Sequence, residues 1–432
     1  MSFVRLCLLF SLFVGIAGCG GGSPSGGTGG SNGDGGGGSS TAVTVTFQGT
    51  TPTAVAAKIG SGAFAAQTLS SGVVTLSLPS GTTNFAVAFV CSPVTILSGG
   101  TQIGQTSQES VIEESTLDGT SLTEACAVSP QPFQTGMLTG SVDASAIPAA
   151  SFLTVNAQSG TSGTSYSSTT PVANFTLSAP AGSDRVEVLA FNSVSQSGGF
   201  SLVAAKSFSS QAVPGGLNGG SPVVLGSADE TTEAPITYSG VPSGFSLPST
   251  IVIYETAGGG AFLIASAATN QYPILPPGAI QSGDSYALEA TARDSSQASQ
   301  AVSSFISGGT GGPVSFTLPA PWSYAGPTPA ALPTFDFDYT GFAGESGVSE
   351  VAGIGWSVGA DSENFLTVTA STNYQNGATT LALPDLSGIT GFLANPKSGS
   401  QAGWSALISQ HSGTGQTATS NAVQNSGTYT VP

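Results

Sequence analysis

Val74-Thr75-Leu76-Ser77-Leu78-Pro79-Ser80-Gly81, with Phe85-Ala86-Val87-Ala88-Phe89-Val90-Cys91 close behind it, decides the fold class. In the first segment apolar and polar residues alternate up to a proline, and a Ser-Gly pair follows. That is the pattern of a half-buried strand ending in a turn. In the second, Phe85, Val87, Phe89 and Cys91 share one side of an extended chain, because successive strand side chains point to opposite faces. That side is predicted to face a core.

The same pairing returns three times. The strand-and-proline phrase recurs as Phe175-Thr176-Leu177-Ser178-Ala179-Pro180, Tyr272-Pro273-Ile274-Leu275-Pro276-Pro277 and Thr380-Leu381-Ala382-Leu383-Pro384. A further strand follows each, at residues 185–191, 285–292 and 403–410. Ahead of each stands an apolar–polar–Gly phrase: Phe47-Gln48-Gly49, Leu138-Thr139-Gly140, Tyr238-Ser239-Gly240 and Tyr339-Thr340-Gly341. Its glycines lie 91, 100 and 101 residues apart. Phrases in constant order at a near-constant period mark tandem repeats. Boundaries near Pro130, Asp229 and Trp322 give four β-sandwiches, at residues 41–130, 131–229, 230–321 and 322–432. The fold class predicted is all-β, with tandem immunoglobulin-like sandwiches. No stretch sustains a helical period.

Two resemblances refine this. The third repeat runs Ile251-Val252-Ile253-Tyr254, then Leu275-Pro276-Pro277-Gly278, then Gly283-Asp284-Ser285-Tyr286-Ala287-Leu288. It resembles a fibronectin type III module, and the fourth repeat is similar with Trp404 where Tyr286 stands. The first two repeats, with Leu78-Pro79-Ser80-Gly81 before a core strand, look closer to transthyretin-like modules of the carboxypeptidase-regulatory type. Both resemblances imply a spacer or binding platform, and a fold alone does not assign a function.

The amino terminus carries an address. Arg5 precedes an apolar run at residues 6–17, which is too short to span a bilayer. Ile16-Ala17-Gly18-Cys19 follows, a branched apolar residue and two small ones before a cysteine. This resembles the lipobox of bacterial lipoproteins. The resemblance implies cleavage of residues 1–18 between Gly18 and Cys19, and lipidation of Cys19. Two or more acyl chains anchor a protein stably. Residues 19–40 are then the lipidated cysteine and a disordered Gly/Ser-rich tether. Gly20, where inner-membrane retention usually shows Asp, implies the outer membrane, at its cell-surface or periplasmic face.

Charge narrows the partners. The whole chain carries six Lys/Arg against 23 Asp/Glu, a formal charge of −17 that becomes −18 once Arg5 leaves with the signal. Nucleic acid is excluded as a partner, since phosphate binding needs clustered basic residues. The membrane contact must come from the lipid. Of four cysteines, Cys7 leaves with the signal and Cys19 takes the lipid. Cys91 and Cys126 remain, an even pair in an exported chain, and they are expected to form a structural disulfide.

Reactive constellations are sparse. The one histidine, His411, falls in a turn after a predicted strand, so a Ser–His–acid triad has one candidate base. Gly29-Gly30-Ser31-Asn32-Gly33 has nucleophile-elbow spacing but lies in the tether, with no strand before it or helix after it. No spacing suggests zinc or a phosphate loop. Acidic residues do cluster: Glu109, Glu113, Glu114, Asp118 and Glu124 near the end of the first repeat, and Asp229, Glu230 and Glu233 at the second boundary. Asp336 and Asp338 alternate with Phe335, Phe337 and Tyr339, which places both carboxylates opposite the aromatic face. Glu113, Glu114, Asp118, Asp336 and Asp338 are the calcium candidates, since calcium binds through several oxygens. The competing role is that of solvated charges guarding sheet edges.

Together these features point to a non-enzymatic, lipid-anchored cell-envelope protein. Its repeats would form a rod that serves as surface spacer, adhesive or structural component. The alternative is a lipoprotein binding a glycan or peptide through an exposed aromatic face built on Trp356 or Trp404. A hydrolase using His411 ranks last.

Overall fold

The computed structural model describes residues 40–98, 101–126, 135–158, 164–167, 172–180, 182–194, 199–213, 215–267, 269–340, 342, 347–359, 361–412 and 419–432. Gly18, Cys19 and the tether to residue 39 lie outside the described residues, as does the Pro130 boundary. Within them the chain is almost wholly β, as the alternation predicts.

The first repeat contains β1 (Thr41–Gly49), β2 (Ala54–Ile59), β3 (Ala65–Ala66), β4 (Val73–Leu78), β5 (Asn84–Val90), β6 (Val94–Ser98), β7 (Thr101–Ser115) and β8 (Ser121–Cys126). β1 lies between β4, antiparallel, and β8, parallel. The other sheet runs β3, β2, β5, β7, with β6 folded back on the start of β7. With the strands lettered by role, one sheet is D-A-G and the other C-B-E-F.

The second repeat has β9 (Thr135–Asp143), β10 (Phe152–Ala157), β11 (Thr164–Ser167), β12 (Val172–Pro180), β13 (Gly182–Val194), β14 (Gly199–Val213), β15 (Gly215–Gly216) and β16 (Val223–Val224). The third has β17 (Thr232–Ser239), β18 (Ser249–Glu255), β19 (Ala261–Ala267), β20 (Gln271–Ile274), β21 (Ser285–Arg293), β22 (Ser299–Gly308) and β23 (Val314–Thr317). Both reproduce the same two strand orders. The fourth has β24 (Thr334–Asp336), β25 (Val348–Gly359), β26 (Ser362–Ser371), a one-turn helix α1 (Thr372–Gln375), β27 (Thr380–Ala382), β28 (Gln401–Ser412) and β29 (Thr419–Thr430). Its β24–β27 and β26–β25–β28 pairings follow the pattern too.

The sandwich expectation stands, but the immunoglobulin-like strand order is corrected. Immunoglobulin sandwiches place strands A, B, E and D in one sheet. Here A pairs with D and G, while B pairs with C and E, in the third repeat as in the first. Alternation marks which face of a strand is buried and says nothing about which strand lies beside it. The fibronectin-like phrases of the third and fourth repeats therefore carried no topological information.

Buried apolar side chains gather in four main cores, each drawn mostly from one repeat. Cys91, at the end of β5, and Cys126, at the end of β8, form a disulfide with Cα atoms 5.4 Å apart. It ties one sheet of the first sandwich to the other, inside the core containing Phe85, Val87 and Phe89. Closing a 35-residue loop this way stabilises by roughly 3–4 kcal/mol in the chain-entropy picture.

The described parts of Met1–Pro130, Trp322–Gln410 and Val423–Pro432 make one compact unit, and those of Gln131–Pro321 and His411–Ala422 make another. The first and fourth repeats thus share a unit. A string of repeats extended in sequence order would keep them apart.

In this unit β7 pairs in parallel with β26, from Ser362↔Gln105 to Ala370↔Glu113. The sheet continues from β2 through β5 and β7 into β26, β25 and β28. Its two faces hold different cores. Phe85, Val87, Phe89 and Ile112 face the first core, whereas Ala88 and Val111 join Leu366, Val368 and Ala352 in the fourth. β5 is consequently buried on both sides.

Candidate functional site

The ionisable groups that sequence leaves scattered converge where two repeats share a sheet. In the unit of the first and fourth repeats, register aligns Lys58, Ala86, Glu113, Ala370 and Glu350 across five adjacent strands. All lie on the fourth-core face. The alanines leave room above the sheet for the long side chains to meet. Lys58 Nζ lies 3.0 Å from Glu113 Oε1, and the Tyr374 hydroxyl donates to the same oxygen at 3.0 Å. The ammonium also sits over the rings of Phe64 and Tyr374, 5.3 and 5.4 Å from their centroids, contacts that favour a cation. Burial alone would lower the Lys58 pKa, but Tyr374 and Glu113 more than offset it and raise it.

Glu350 is the other carboxyl of the row. It is fully buried, accepts one hydrogen bond from Gln375 Nε2 at 3.1 Å, and its Oε1 has no partner. Burial, with Glu113 adding repulsion, pushes it up to about 8. Two residues along β7 from Val111, Glu109 accepts from the Leu393 N–H at 2.9 Å and is pushed up by burial to about 7. The row therefore holds one cation against two carboxyls, and the chemistry favours keeping one of them neutral.

The unit of the second and third repeats has a counterpart. Arg185 sits at a bulge in β13, where the register with β14 shifts. Its fork grips Asp284 at 2.9 and 3.0 Å, Nη2 donates to the Ala279 carbonyl at 3.0 Å, and Nε lies 2.6 Å from Glu187. The Tyr254 hydroxyl donates to Asp284, which also accepts the N–H groups of Ala257 and Gln281. Burial would raise Asp284, but the guanidinium, the phenol and the two N–H groups hold it below the usual carboxylate range. Glu187 receives the side of the guanidinium and the Ser207 hydroxyl at 3.0 Å, while its Oε2 has no partner. Burial wins there, and Glu187 is pushed up to about 7.

The calcium candidates fall into separate roles. Asp118 anchors α1: it accepts Ser371 Oγ at 2.6 Å, Asn373 Nδ2 at 2.5 Å and the Ser115 N–H at 3.3 Å. Glu114 is pushed up to about 8 by burial and by Asp118 beside it, and Glu124 to about 7 by burial. Asp338 closes a turn on Thr340, accepting its N–H and hydroxyl. Asp336 is exposed, opposite the buried Phe335 and Phe337, as the alternation predicts. At the second boundary Asp229 takes Lys206 at 3.3 Å. Among the described residues no three histidines, cysteines or acids come together to hold a metal ion.

Trp356 and Trp404 are both buried in the fourth core, so neither offers an exposed aromatic platform. His411 lies in β28 rather than in a turn, and no described serine or carboxylate is hydrogen-bonded to it. Lys58, Glu350, Arg185, Glu187 and Asp284 escaped the sequence reading. One signal was available: Arg185 and Glu187 interrupt an otherwise apolar run over residues 185–191. No protein-family model and no curated protein sequence matches the chain.

Proposed function

We propose that this chain is a non-enzymatic, lipid-anchored component of a bacterial cell envelope, acting as spacer, adhesive or structural element. One observation carries the reading most. Arg185 with Asp284, and Glu113 with Tyr374, bridge neighbouring repeats, and all three tryptophans are buried in the fourth core. Side chains engaged in this way support a mechanical or scaffolding role. The lipobox resemblance at Cys19 implies the anchor, and Gly20 after it implies the outer membrane. The paired repeats modify the expected rod: its element would be a pair of sandwiches sharing a sheet. The common strand order also favours a single module type, nearer the transthyretin-like resemblance of the first two repeats.

The test is proteolytic shaving of intact cells, with mass spectrometry of what is released. Release by cleavage within residues 20–40 is the outcome expected for a surface spacer or adhesin. Protection until the outer membrane is broken would end the adhesin reading and direct crosslinking toward periplasmic partners. A Cys19→Ser chain that stays membrane-bound would overturn the lipid anchor.

A further inference from the structure

We propose that Glu350 makes the joint between the first and fourth repeats proton-operated, tight while its carboxyl is neutral and loosened when it ionises. The geometry singles this residue out. Glu350 stands on β25, inside the shared sheet, wholly out of solvent. The neighbours in its row on β26 and β28 are Ala370 and Ile408, which offer no charge. From α1 it receives one amide, Gln375, while Tyr374 is turned to Glu113. From β7 it faces Glu113, with Glu109 farther along the same face, and from β5 the uncharged Ala86. The only cation of the row, Lys58 on β2, is held by Glu113. Asp118 accepts the Ser371 hydroxyl at the start of α1 and belongs to the helix anchor. An ionised Glu350 would therefore be a second buried anion with no cation of its own and one oxygen unpartnered. Such a charge carries a large desolvation cost.

Ionisation strains the contacts that join the repeats. α1 hydrogen-bonds the first repeat through Asn84 Nδ2 to the Tyr374 carbonyl at 2.9 Å and through the Asp118 network. Gln375, in the same turn, is the Glu350 partner. Repulsion between Glu350 and Glu113 thus acts on the strands and the helix that form the joint. The raised carboxyl fixes the sign of the effect. Its stabilisation is complete below the ordinary Glu value of 4.5, declines as pH rises, and is gone above about 8.

The three tryptophans, Trp322, Trp356 and Trp404, all lie in the fourth core, so tryptophan fluorescence reports this unit. The experiment is urea unfolding of the mature chain followed by fluorescence at pH 5 and pH 9. The expected result is a lower midpoint at pH 9, with a measurably smaller difference in Glu350→Gln, where Glu109, Glu114 and Glu124 keep the remainder. Should that variant not unfold cooperatively, Glu350→Leu serves, since it is also uncharged and needs no partner. Hydrogen exchange over β25 and α1, corrected for intrinsic rates, should be faster at pH 9 in the wild type and lose that excess in the variant. A pH difference as large in the variant as in the wild type, or none in the wild type, overturns the proposal.

Discussion

Both units join two sandwiches through one sheet and a buried ionic cluster, but they divide the work differently. The first and fourth repeats share a parallel ladder of nine residue pairs between β7 and β26. Among the described residues, the ladder between the second and third holds two pairs, Phe200↔Ser266 and Ser201↔Ala265, antiparallel, between β14 and β19, beside an isolated bridge, Ala204↔Glu230. Where the ladder is long, backbone hydrogen bonds hold the joint, and its cation is a lysine binding one carboxylate. Where the ladder is short, an arginine fork binds an aspartate with three other donors in attendance. Arginine suits that place because its planar guanidinium grips a carboxylate through two parallel bonds and stays charged. The contrast teaches that two joints of like design can rely on backbone pairing and on buried charge in different proportion.

That contrast can be broken most directly at Asp284. Asp284→Ala leaves Arg185 buried without its main partner and should destabilise the second–third unit by about 3–5 kcal/mol. Calorimetry or circular dichroism should show the loss, while the tryptophan transition of the other unit stays in place. Equal movement of both signals would mean that the units do not unfold separately.

The covalent staple is the next largest difference, since the described disulfide belongs to the first repeat. Replacing Cys91 and Cys126 together with alanine should lower the first–fourth unit by roughly 3–4 kcal/mol. The reading is the shift of the fluorescence midpoint under non-reducing conditions.

Gly240 probes the backbone of the second–third unit. It ends β17 at φ +70°, and an added Cβ would lie 2.6 Å from the Leu318 carbonyl oxygen. Gly240→Ala should cost about 1–3 kcal/mol, visible in circular dichroism and absent from tryptophan fluorescence.

A pH series sharpens the comparison of the carboxyls. Glu109, Glu114, Glu124 and Glu350 in one unit, and Glu187 in the other, are raised to about 7 or 8. A raised carboxyl stabilises below its unfolded value and loses that contribution as pH climbs through its folded value. Both units should therefore be more stable at pH 5 than at pH 9, the tryptophan-bearing one more so. A flat thermal profile across this range would contradict the burial of these groups. The smallest effect is expected at Lys206, whose partner Asp229 is half-buried. Lys206→Ala should change stability by about 0–1 kcal/mol in thermal melts.

Much of the architecture was legible. Period-2 alternation with Pro and Gly punctuation marked the D and E strands of every repeat, and Phe85, Val87, Phe89 and Cys91 do line a core. Alternation also placed Asp336 opposite Phe335 and Phe337. The apolar–polar–Gly phrase was less faithful. Gly49 closes β1, yet Gly140 sits inside β9, packed under the Phe175 ring. The acidic cluster near residues 109–124 was visible as composition, but its division into a core-facing row and a helix anchor was not. Neighbours along β7 point to opposite faces, and one face belongs to a repeat more than two hundred residues away.

Sequence by itself determined the local physics: extended segments, the inward side of each, the turns between them and a cysteine pair suited to a disulfide. These follow from side-chain spacing and backbone preferences within a few residues. The tertiary structure alone decided that strand A pairs with D and G, that the first repeat shares its sheet with the last, and that Lys58, Glu113 and Glu350 stand in one row. Strand pairing is made by backbone groups that every residue carries alike. Which strands meet is therefore settled by how whole faces bury against one another, and no single stretch of sequence records it.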